Sequence, residues 1–210
     1  MTDVIVIGGG LVGAAIALGL RDQGLDPVLL DEGDIAFRAS RGNFGLVWVQ
    51  SKGLGAPWYQ RWTRGSASEW PALAADLAAR TGIDTALQQP GGISLCLSEA
   101  EFEDRTRRMA QMREEAGNFG FDYRMMRVEE LRDILPGLGP SVVGGSFTPY
   151  DGHAGPLPLL RALHKAFTDA GGRYVPNAKV TDATTAPNDF RVDTAAGSFA
   201  APKVVLARIE

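Results

Sequence analysis

Cysteine and histidine are both scarce in this chain of 210 residues. The single cysteine, Cys96, cannot close an intramolecular disulfide, and it excludes a cysteine-cluster metal site. The two histidines, His153 and His164, have no acidic or cysteine partner at ligand spacing, so the sequence predicts no bound metal. Low cysteine usage is typical of a reducing compartment, and we expect a cytoplasmic protein. Because His164 stands beside Lys165 in a predicted helix, we expect it on the surface.

Positive charge is in deficit, with 21 lysines and arginines against 25 acidic residues and a net charge of −4. A general nucleic-acid binder needs a basic excess to contact phosphates, so we expect no nucleic-acid partner. One long apolar run, residues 4–20, has the hydropathy of a signal or membrane segment. No basic residue precedes it, and glycines at positions 8–10 would break a helix, so we predict no transmembrane segment. Peripheral association with a membrane stays open.

The chain has the composition of a globular protein, with 45% hydrophobic and 22% charged residues. Its first thirty residues predict a buried strand over 3–7, a helix over 11–23 and a second strand over 28–30. A strand–helix–strand unit of this length is typical of a right-handed parallel connection. We therefore predict an α/β fold built on a Rossmann-type domain with a parallel sheet.

Two domains are expected. The Rossmann-type domain is predicted to contain residues 1–84 and 151–210, interrupted by a mixed α+β segment over 85–150. Near the end of the chain, apolar segments bounded by turn signals predict strands, among them 173–183 and 199–206.

A long helix is predicted over residues 57–80, and Pro71 is expected to kink or split it. Three tryptophans, Trp58, Trp62 and Trp70, lie at helical spacing in this segment. Such a set could form a substrate cage or a stacking platform, but helical spacing favours packing in the core, and we predict that all three are buried.

A glycine-rich motif, Gly8-Gly-Gly-Leu-Val-Gly13, follows the first predicted strand and opens the first predicted helix. In this context G-x-G-x-x-G is typical of a dinucleotide-binding turn. Gly8 can make the tight turn, Gly10 lets the backbone approach a pyrophosphate, and Gly13 lets the helix pack closely on the strand. The start of the helix adds unpaired N–H groups and a positive dipole end, both of which favour a phosphate.

An acidic residue at the end of the second predicted strand supports the same interpretation. Asp31 directly follows the apolar run 28–30, at the roughly 20-residue spacing expected of a carboxylate that hydrogen-bonds an adenosine ribose. It fits this role better than the neighbouring Glu32. A carboxylate disfavours a ribose 2′-phosphate and so argues against NADP, but NAD and FAD both carry the free hydroxyls, and the motif alone does not choose between them.

Later segments carry a resemblance to a known family. They are Ala39-Ser40, Asn43-Phe-Gly-Leu46, Gly152-His-Ala-Gly-Pro156 and Val204-Val-Leu-Ala207. Together with the glycine-rich motif, they resemble the D-amino-acid oxidase superfamily of FAD-dependent amine and amino-acid oxidoreductases. The chain is most similar to the branch of glycine oxidase, D-amino-acid dehydrogenase and cyanide-forming glycine dehydrogenase. The resemblance spans residues 3–207 and implies FAD as the cofactor. It also implies that residues 85–150 are the first part of a substrate domain.

The resemblance also implies which positions contact FAD. The glycine-rich turn would hold the pyrophosphate and the acidic pair the ribose, although the family normally has Glu at position 31. The next segment would lie along the flavin, with positions 39–40 on its phosphate and ribityl side and positions 44–46 beside the isoalloxazine ring. The main chain of Val180 would meet the adenine. The implied cofactor-binding residues are Gly8, Gly10, Leu11, Val12, Gly13, Asp31, Glu32, Ala39, Ser40, Asn43, Phe44, Gly45, Leu46 and Val180.

The activity implied by the resemblance is oxidation of an amino acid or secondary amine. A hydride passes from the substrate α-carbon to flavin N5, the imine hydrolyses, and oxygen or an electron-transfer partner reoxidises the flavin. No residue of the sequence stands out as a catalytic acid or base. Two alternatives stay open: a catalytically inactive FAD- or nucleotide-binding module, and an NAD-dependent dehydrogenase, which leaves residues 40–46 unexplained.

Members of this family normally continue well past a strand that ends like residues 204–207. We therefore expect the chain to correspond to the N-terminal portion of such an enzyme. A parallel sheet without its later strands would leave unpaired edges and exposed apolar faces. This predicts aggregation or association into a homo- or hetero-oligomer.

Overall fold

The computed structural model of the protein describes residues 2–33, 39–40, 42–185, 187 and 189–207. The chain divides into two compact units. The first contains Met1–Phe44, Ala74–Thr85 and Gly155–Glu210, and the second contains Gly45–Leu73 and Ala86–Ala154. This division differs from the predicted domains chiefly at residues 45–73, which belong to the second unit instead of the first.

The described residues form five α-helices and twelve strands. The helices are α1 (Leu11–Asp22), α2 (Pro57–Thr81), α3 (Glu99–Ala116), α4 (Val128–Ile134) and α5 (Pro156–Asp169), with a 3-10 turn at Gly117–Phe119. The strands are β1 (Val4–Ile7), β2 (Pro27–Leu30), β3 (Leu46–Val47), β4 (Gly92–Cys96), β5 (Arg124–Arg127), β6 (Gly144–Thr148), β7 (Gly152–His153), β8 (Arg173–Val175), β9 (Val180–Thr185), β10 (Phe190–Thr194), β11 (Gly197–Ala201) and β12 (Lys203–Leu206).

A four-stranded parallel sheet forms the centre of the first unit, with strand order β12–β1–β2–β8. Ile5 of β1 lies in register with Val204 on one side and Val28 on the other. Every residue of β1 and β2 is buried, as expected for strands that are covered on both faces. The predicted α/β fold with a parallel sheet is confirmed.

Helix α1 joins β1 to β2, and small residues on its buried side allow a close approach. Gly13, Ala14 and Ala17 are buried there. Gly24 follows the end of the helix, has a φ of +82° and donates its N–H to the carbonyl of Arg21 at 2.9 Å. A glycine adopts this left-handed conformation without the steric cost that a side chain would bring.

Two predicted strands, 173–183 and 199–206, are each divided in two. Asn177 has a φ of +56° and breaks the first between β8 and β9. Pro202 breaks the second between β11 and β12, because proline lacks the N–H that a ladder needs. These breaks let the chain leave the parallel sheet, form the antiparallel sheet β11–β10–β9, and return as β12. One buried cluster draws residues from both sheets: Ile5, Ile7, Val28, Leu30, Ala178, Val192 and Ala201.

The second unit is built on a three-stranded antiparallel sheet of order β4–β6–β5. A second ladder, β3–β7, pairs Leu46 with His153 and Val47 with Gly152. Strands of two residues carry no periodicity, so the sequence did not predict this ladder. The main buried cluster of the unit contains Val47, Val49, Ala67, Met109, Met112, Ala116 and Phe121.

Helix α2 runs from Pro57 to Thr81 and is not split at Pro71. Proline has no N–H to donate to the carbonyl of Ala67, four residues earlier. The Gln89 side chain donates its amide Nε2–H to that carbonyl at 3.0 Å instead. The lost helical hydrogen bond is thus replaced from outside the helix, which explains how the helix continues through a proline.

Trp70 is half-buried against the main cluster of the second unit, as predicted, but the predicted burial of Trp58 and Trp62 is wrong. Trp58 and Trp62 are 67% and 66% exposed. The buried positions of this helix include Gln60 and Ala67, seven residues apart and therefore on one face. The two tryptophans lie on a different face, so helical spacing correctly indicated a shared face but not the face that packs inward.

A buried polar network fixes the loop after β3. Asp151 is fully buried, and its carboxylate accepts the backbone N–H of Val49 at 2.5 Å and the amide of Gln50 at 2.8 Å. The Gln50 Oε1 in turn accepts from Arg105 at 2.6 Å and from the Ser146 hydroxyl at 2.8 Å. Burial raises the pKa of the Asp151 carboxyl, although the donors from Val49 and Gln50 oppose that shift.

We expect Asp151→Asn to lower the free energy of unfolding by about 1–3 kcal/mol. The new side-chain NH₂ group would face the Val49 and Gln50 N–H donors, which now donate to the carboxylate. Because its pKa is raised, the Asp151 carboxyl stays protonated to a higher pH in the native state than in the unfolded state. The free energy of unfolding of the wild type therefore falls as pH rises from about 4 through the folded pKa. The penalty of the substitution is therefore larger at pH 4 than at pH 7. Urea unfolding of both proteins across this range measures it, and a penalty that grows with pH would contradict the assignment.

Candidate dinucleotide-binding site

The glycine-rich turn joins β1 directly to α1. Gly8 has a φ of +109° and donates its N–H to the carbonyl of Leu30 in β2 at 2.8 Å. A Cβ added at Gly13 would collide with the carbonyl oxygen of Gly8 and lie 3.2 Å from the Cβ of Ala207. The first turn of the helix therefore packs backbone against backbone on the end of the strand, and no side chain fits between them.

Gly10 precedes the helix in an extended conformation, and Ser40 lies against it. The Ser40 hydroxyl accepts the N–H of Leu11 at 3.0 Å, and a Cβ on Gly10 would lie 2.7 Å from this oxygen. Asn43 stabilises the same segment, because its side-chain amide donates to the carbonyls of Ala39 and Ser40, each at 3.1 Å. The structure thus brings together the predicted residues at positions 10, 11, 39, 40 and 43.

Asp31 lies at the carboxyl end of β2, next to the turn. Its Oδ1 is 3.4 Å from the Gly9 nitrogen, and a Cβ on Gly9 would lie 2.8 Å from the Asp31 Cβ. The Asp31 backbone is fixed on both sides, since its N–H donates to Val175 at 3.0 Å and its carbonyl accepts from Ala178 at 2.7 Å. Ligands of open α/β sheets bind at this end of the strands, and the carboxylate stands there beside a helix N-terminus.

The remaining predicted residues of the first unit have varied surroundings. Val12 is 63% exposed in the first turn of α1, and Glu32 is half-buried after Asp31. Val180 opens β9 and packs on the buried cluster shared by the two sheets. Phe44 is 89% exposed.

Gly45 and Leu46 belong to the second unit. Gly45 has a φ of +70°, and its carbonyl accepts the N–H of Ala154 at 2.8 Å. Leu46 pairs with His153 in the β3–β7 ladder, and its side chain is exposed. Their roles beside a flavin ring stay predictions.

Sequence reasoning missed two side chains at the turn. His164 is half-buried instead of on the surface, and its Nε2 lies 2.7 Å from the carbonyl oxygen of Gly9. Tyr174 packs edge-on against the His164 ring, with centroids 4.8 Å apart, and donates its O–H to Asp31 at 3.3 Å. The available signal for Tyr174 was its place in a strand, but only the pairing of β8 with β2 sets it beside Asp31.

The site has the chemistry that the adenosine and pyrophosphate parts of a dinucleotide require. Backbone N–H groups at the start of α1 and the positive end of its dipole suit a pyrophosphate. The Asp31 carboxylate at the neighbouring strand end suits the hydroxyls of a ribose. A Cβ at Gly9 or Gly13 would collide with the Asp31 Cβ or the Gly8 carbonyl oxygen, so glycine is required at these two positions, whereas at Gly10 the Ser40 hydroxyl would have to move.

A glycine turn at a strand–helix junction, with an acidic residue ending the next strand, defines a dinucleotide-binding α/β domain. Residues 3–208 match the DAO family, described as FAD dependent oxidoreductase. The chain belongs to this family of FAD-dependent oxidoreductases. The resemblance and the cofactor expected from the sequence are thereby confirmed.

Similar proteins match along nearly the whole chain. An opine oxidase component from Agrobacterium tumefaciens (strain Ach5) is 40% identical over 205 residues, which cover 98% of this chain and 55% of that protein. The glycine oxidase of Geobacillus kaustophilus (strain HTA426) is 30% identical over 206 residues, covering 98% of this chain and 54% of that protein. The crystal structure of glycine oxidase from Geobacillus kaustophilus matches with a TM-score of 0.89 and 30% identity, covering 98% of this chain and 54% of that chain. The chain spans about half the length of the curated relatives it matches.

Within the described residues, no three His, Cys, Asp or Glu side chains are grouped so that they could hold a metal ion. No helix among them is long and apolar enough to cross a membrane. Cys96 is buried, and that burial raises the pKa of its thiol, which disfavours the reactive thiolate.

We expect Gly13→Ala to prevent the native turn from forming, because the new methyl group would occupy the position of the Gly8 carbonyl oxygen. A loss of stability of several kcal/mol, or failure to fold, follows from overpacking against rigid backbone. Gly19→Ala in the same helix is the matched control, since a Cβ there meets nothing within 4 Å. It should raise the free energy of unfolding by about 0.5–1 kcal/mol through helix propensity. Thermal unfolding of the two variants compares them, and equal stability would contradict the packing described.

Proposed function

We propose that the chain binds FAD through its first unit and takes part in the oxidation of an amino acid or secondary amine. The observation that carries the proposal is the Asp31 carboxylate, 3.4 Å from the Gly9 nitrogen and beside the free end of α1. Family membership supports FAD over NAD. An NAD-dependent dehydrogenase would also leave the segment around Ser40 without a role, although its hydroxyl lies at the helix start.

In this proposal the predicted residues contact different parts of FAD. The backbone of Gly10, Leu11 and Val12 binds the pyrophosphate, and Gly8 and Gly13 keep that backbone close to β1. Asp31, with Glu32 next to it, accepts hydrogen bonds from the ribose. Ser40, in the segment that Asn43 holds together with Ala39, lies on the phosphate and ribityl side. The main chain of Val180 meets the adenine, and residues 44–46 approach the isoalloxazine ring.

The substrate class follows from chemistry and from the relatives. Bound FAD supplies the acceptor for the hydride that leaves the substrate α-carbon. An opine is a secondary amine that joins an amino acid to an oxo acid, and the opine oxidase component is 40% identical to this chain, against 30% for glycine oxidase. We therefore place a secondary-amine amino acid ahead of glycine as the substrate. Oxygen or an electron-transfer partner then accepts the electrons.

The test is a visible absorption spectrum of the purified chain after incubation with FAD and removal of free cofactor by gel filtration. Flavin bands that elute with the protein are expected. Anaerobic addition of an opine, sarcosine, glycine or D-alanine should then bleach those bands for at least one compound. A yellow protein that no amine bleaches would favour the alternative, a FAD-binding module without activity of its own. A colourless protein would overturn FAD binding by this chain.

Asp31→Ala is expected to weaken FAD binding by about 10- to 100-fold, because the ribose loses hydrogen bonds to a charged acceptor. Asp31→Glu keeps a carboxylate, the side chain that the family normally has here, and should lose much less. Asp169→Ala serves as the control for removing an acidic residue, since this carboxylate pairs with Lys165 on the surface of α5. Flavin fluorescence titrations give the three dissociation constants. Equal weakening by Asp31→Ala and Asp169→Ala would remove Asp31 from the site.

A further inference from the structure

Both backbone polar groups of Gly9, in the middle of the turn, are held by side chains from other elements. Its carbonyl oxygen lies 2.7 Å from the Nε2 of His164 in α5, and its nitrogen lies 3.4 Å from the Oδ1 of Asp31. A carbonyl oxygen can only accept a hydrogen bond. His164 must therefore carry a proton on Nε2, and its ring is the donor in this contact.

Tyr174 closes these contacts into a ring. Its phenol O–H donates to the Oδ2 of Asp31 at 3.3 Å, while its aromatic ring packs edge-on against His164 at an interplanar angle of 81°. The order of contacts is Gly9, His164, Tyr174, Asp31 and back to Gly9. All three side chains are half-buried, so solvent competes only in part for their hydrogen bonds.

This ring links the two halves of the candidate site. The peptide of Gly9 sets the direction of the turn that would face a pyrophosphate, and Asp31 provides the carboxylate that would face a ribose. Each oxygen of that carboxylate has a donor from the protein. A carboxylate offers about four acceptor positions, so donors from the protein and from a ribose can share it. The ring thus sets the orientation of Asp31 before a ligand arrives.

We propose that His164 and Tyr174 are positioning residues that preorganise the ribose-binding carboxylate and the glycine turn. This inference rests on the proposed binding of FAD and adds two residues outside the glycine-rich motif. A carboxylate and a turn that are already ordered lose less conformational freedom on binding. Aspartate at position 31 suits the arrangement, because its short side chain lies directly against Gly9.

The test compares binding of ADP with binding of 2′-deoxy-ADP, each measured by calorimetry on the wild-type chain and on four variants. The dissociation constant of 2′-deoxy-ADP divided by that of ADP reports the contact between Asp31 and the ribose 2′-hydroxyl. Tyr174→Phe removes one hydroxyl from an otherwise intact ring and should shrink this ratio by about 3- to 10-fold, the change expected when one group is no longer held in place. His164→Leu should shrink it by a similar factor.

His164→Gln provides the rescue. A glutamine amide can donate to the Gly9 carbonyl in place of the imidazole, so we expect the ratio to stay within about 2-fold of the wild-type value. Lys165→Ala, next to His164 on the same helix, is the control for changes that only affect α5. If the two residues had a purely structural role, the variants would bind both ligands more weakly by the same factor and the ratio would not change. If they had no role, neither dissociation constant would change. Either result overturns the inference.

Failure of the proposed function gives a different result. If the wild-type chain binds neither FAD nor ADP, the FAD proposal fails and this inference fails with it. If the wild type binds FAD, and binds ADP and 2′-deoxy-ADP equally well, Asp31 does not contact the ribose 2′-hydroxyl. The positioning role is then overturned, while FAD binding stands. Because Tyr174→Phe keeps the shape of the side chain, its melting temperature should remain within a few degrees of wild type, and its ratio decides the question even if His164→Leu fails to fold.

Discussion

The first unit depends on one close approach, in which the backbone at the start of α1 rests on the carbonyl end of β1. A side chain at Gly13 would collide with Gly8, so the distance between helix and strand is set by backbone atoms alone. That contact points the N-terminus of the helix, with its positive dipole end, toward the carboxyl edge of the parallel sheet. Asp31 lies next to this junction, with its Oδ1 3.4 Å from the Gly9 nitrogen.

Glycines that allow such an approach provide no side chains to stabilise the turn. The structure supplies them from elsewhere: Ser40 accepts the N–H of Leu11, Asp31 lies at the nitrogen of Gly9, and His164 donates to its carbonyl. Because the glycines have no side chains, the groups that stabilise this backbone come from other segments of the chain.

In the second unit, too, a segment of backbone is held in place by a side chain from elsewhere in the sequence. Two-residue strands have too few hydrogen bonds to define their own geometry. The loop that follows β3 is instead held by the fully buried Asp151, through Val49 and Gln50, and Arg105 completes the network. Burying this carboxylate is costly, and the raised pKa of Asp151 is the sign of that cost. The donors from Val49 and Gln50 offset part of that cost.

The sequence by itself determined the elements whose cause is local. Periodicity predicted the strands and helix around the glycine turn, and the steric needs of that turn required glycine at position 13, with the acidic Asp31 one strand later. Tertiary structure alone decided which helix face is buried, and it left Trp62 exposed. It also brought His164 and Tyr174 to the turn, because strand order and helix packing join residues far apart in sequence. Spacing along a chain records which residues share a face, but the partner of that face is set by the fold.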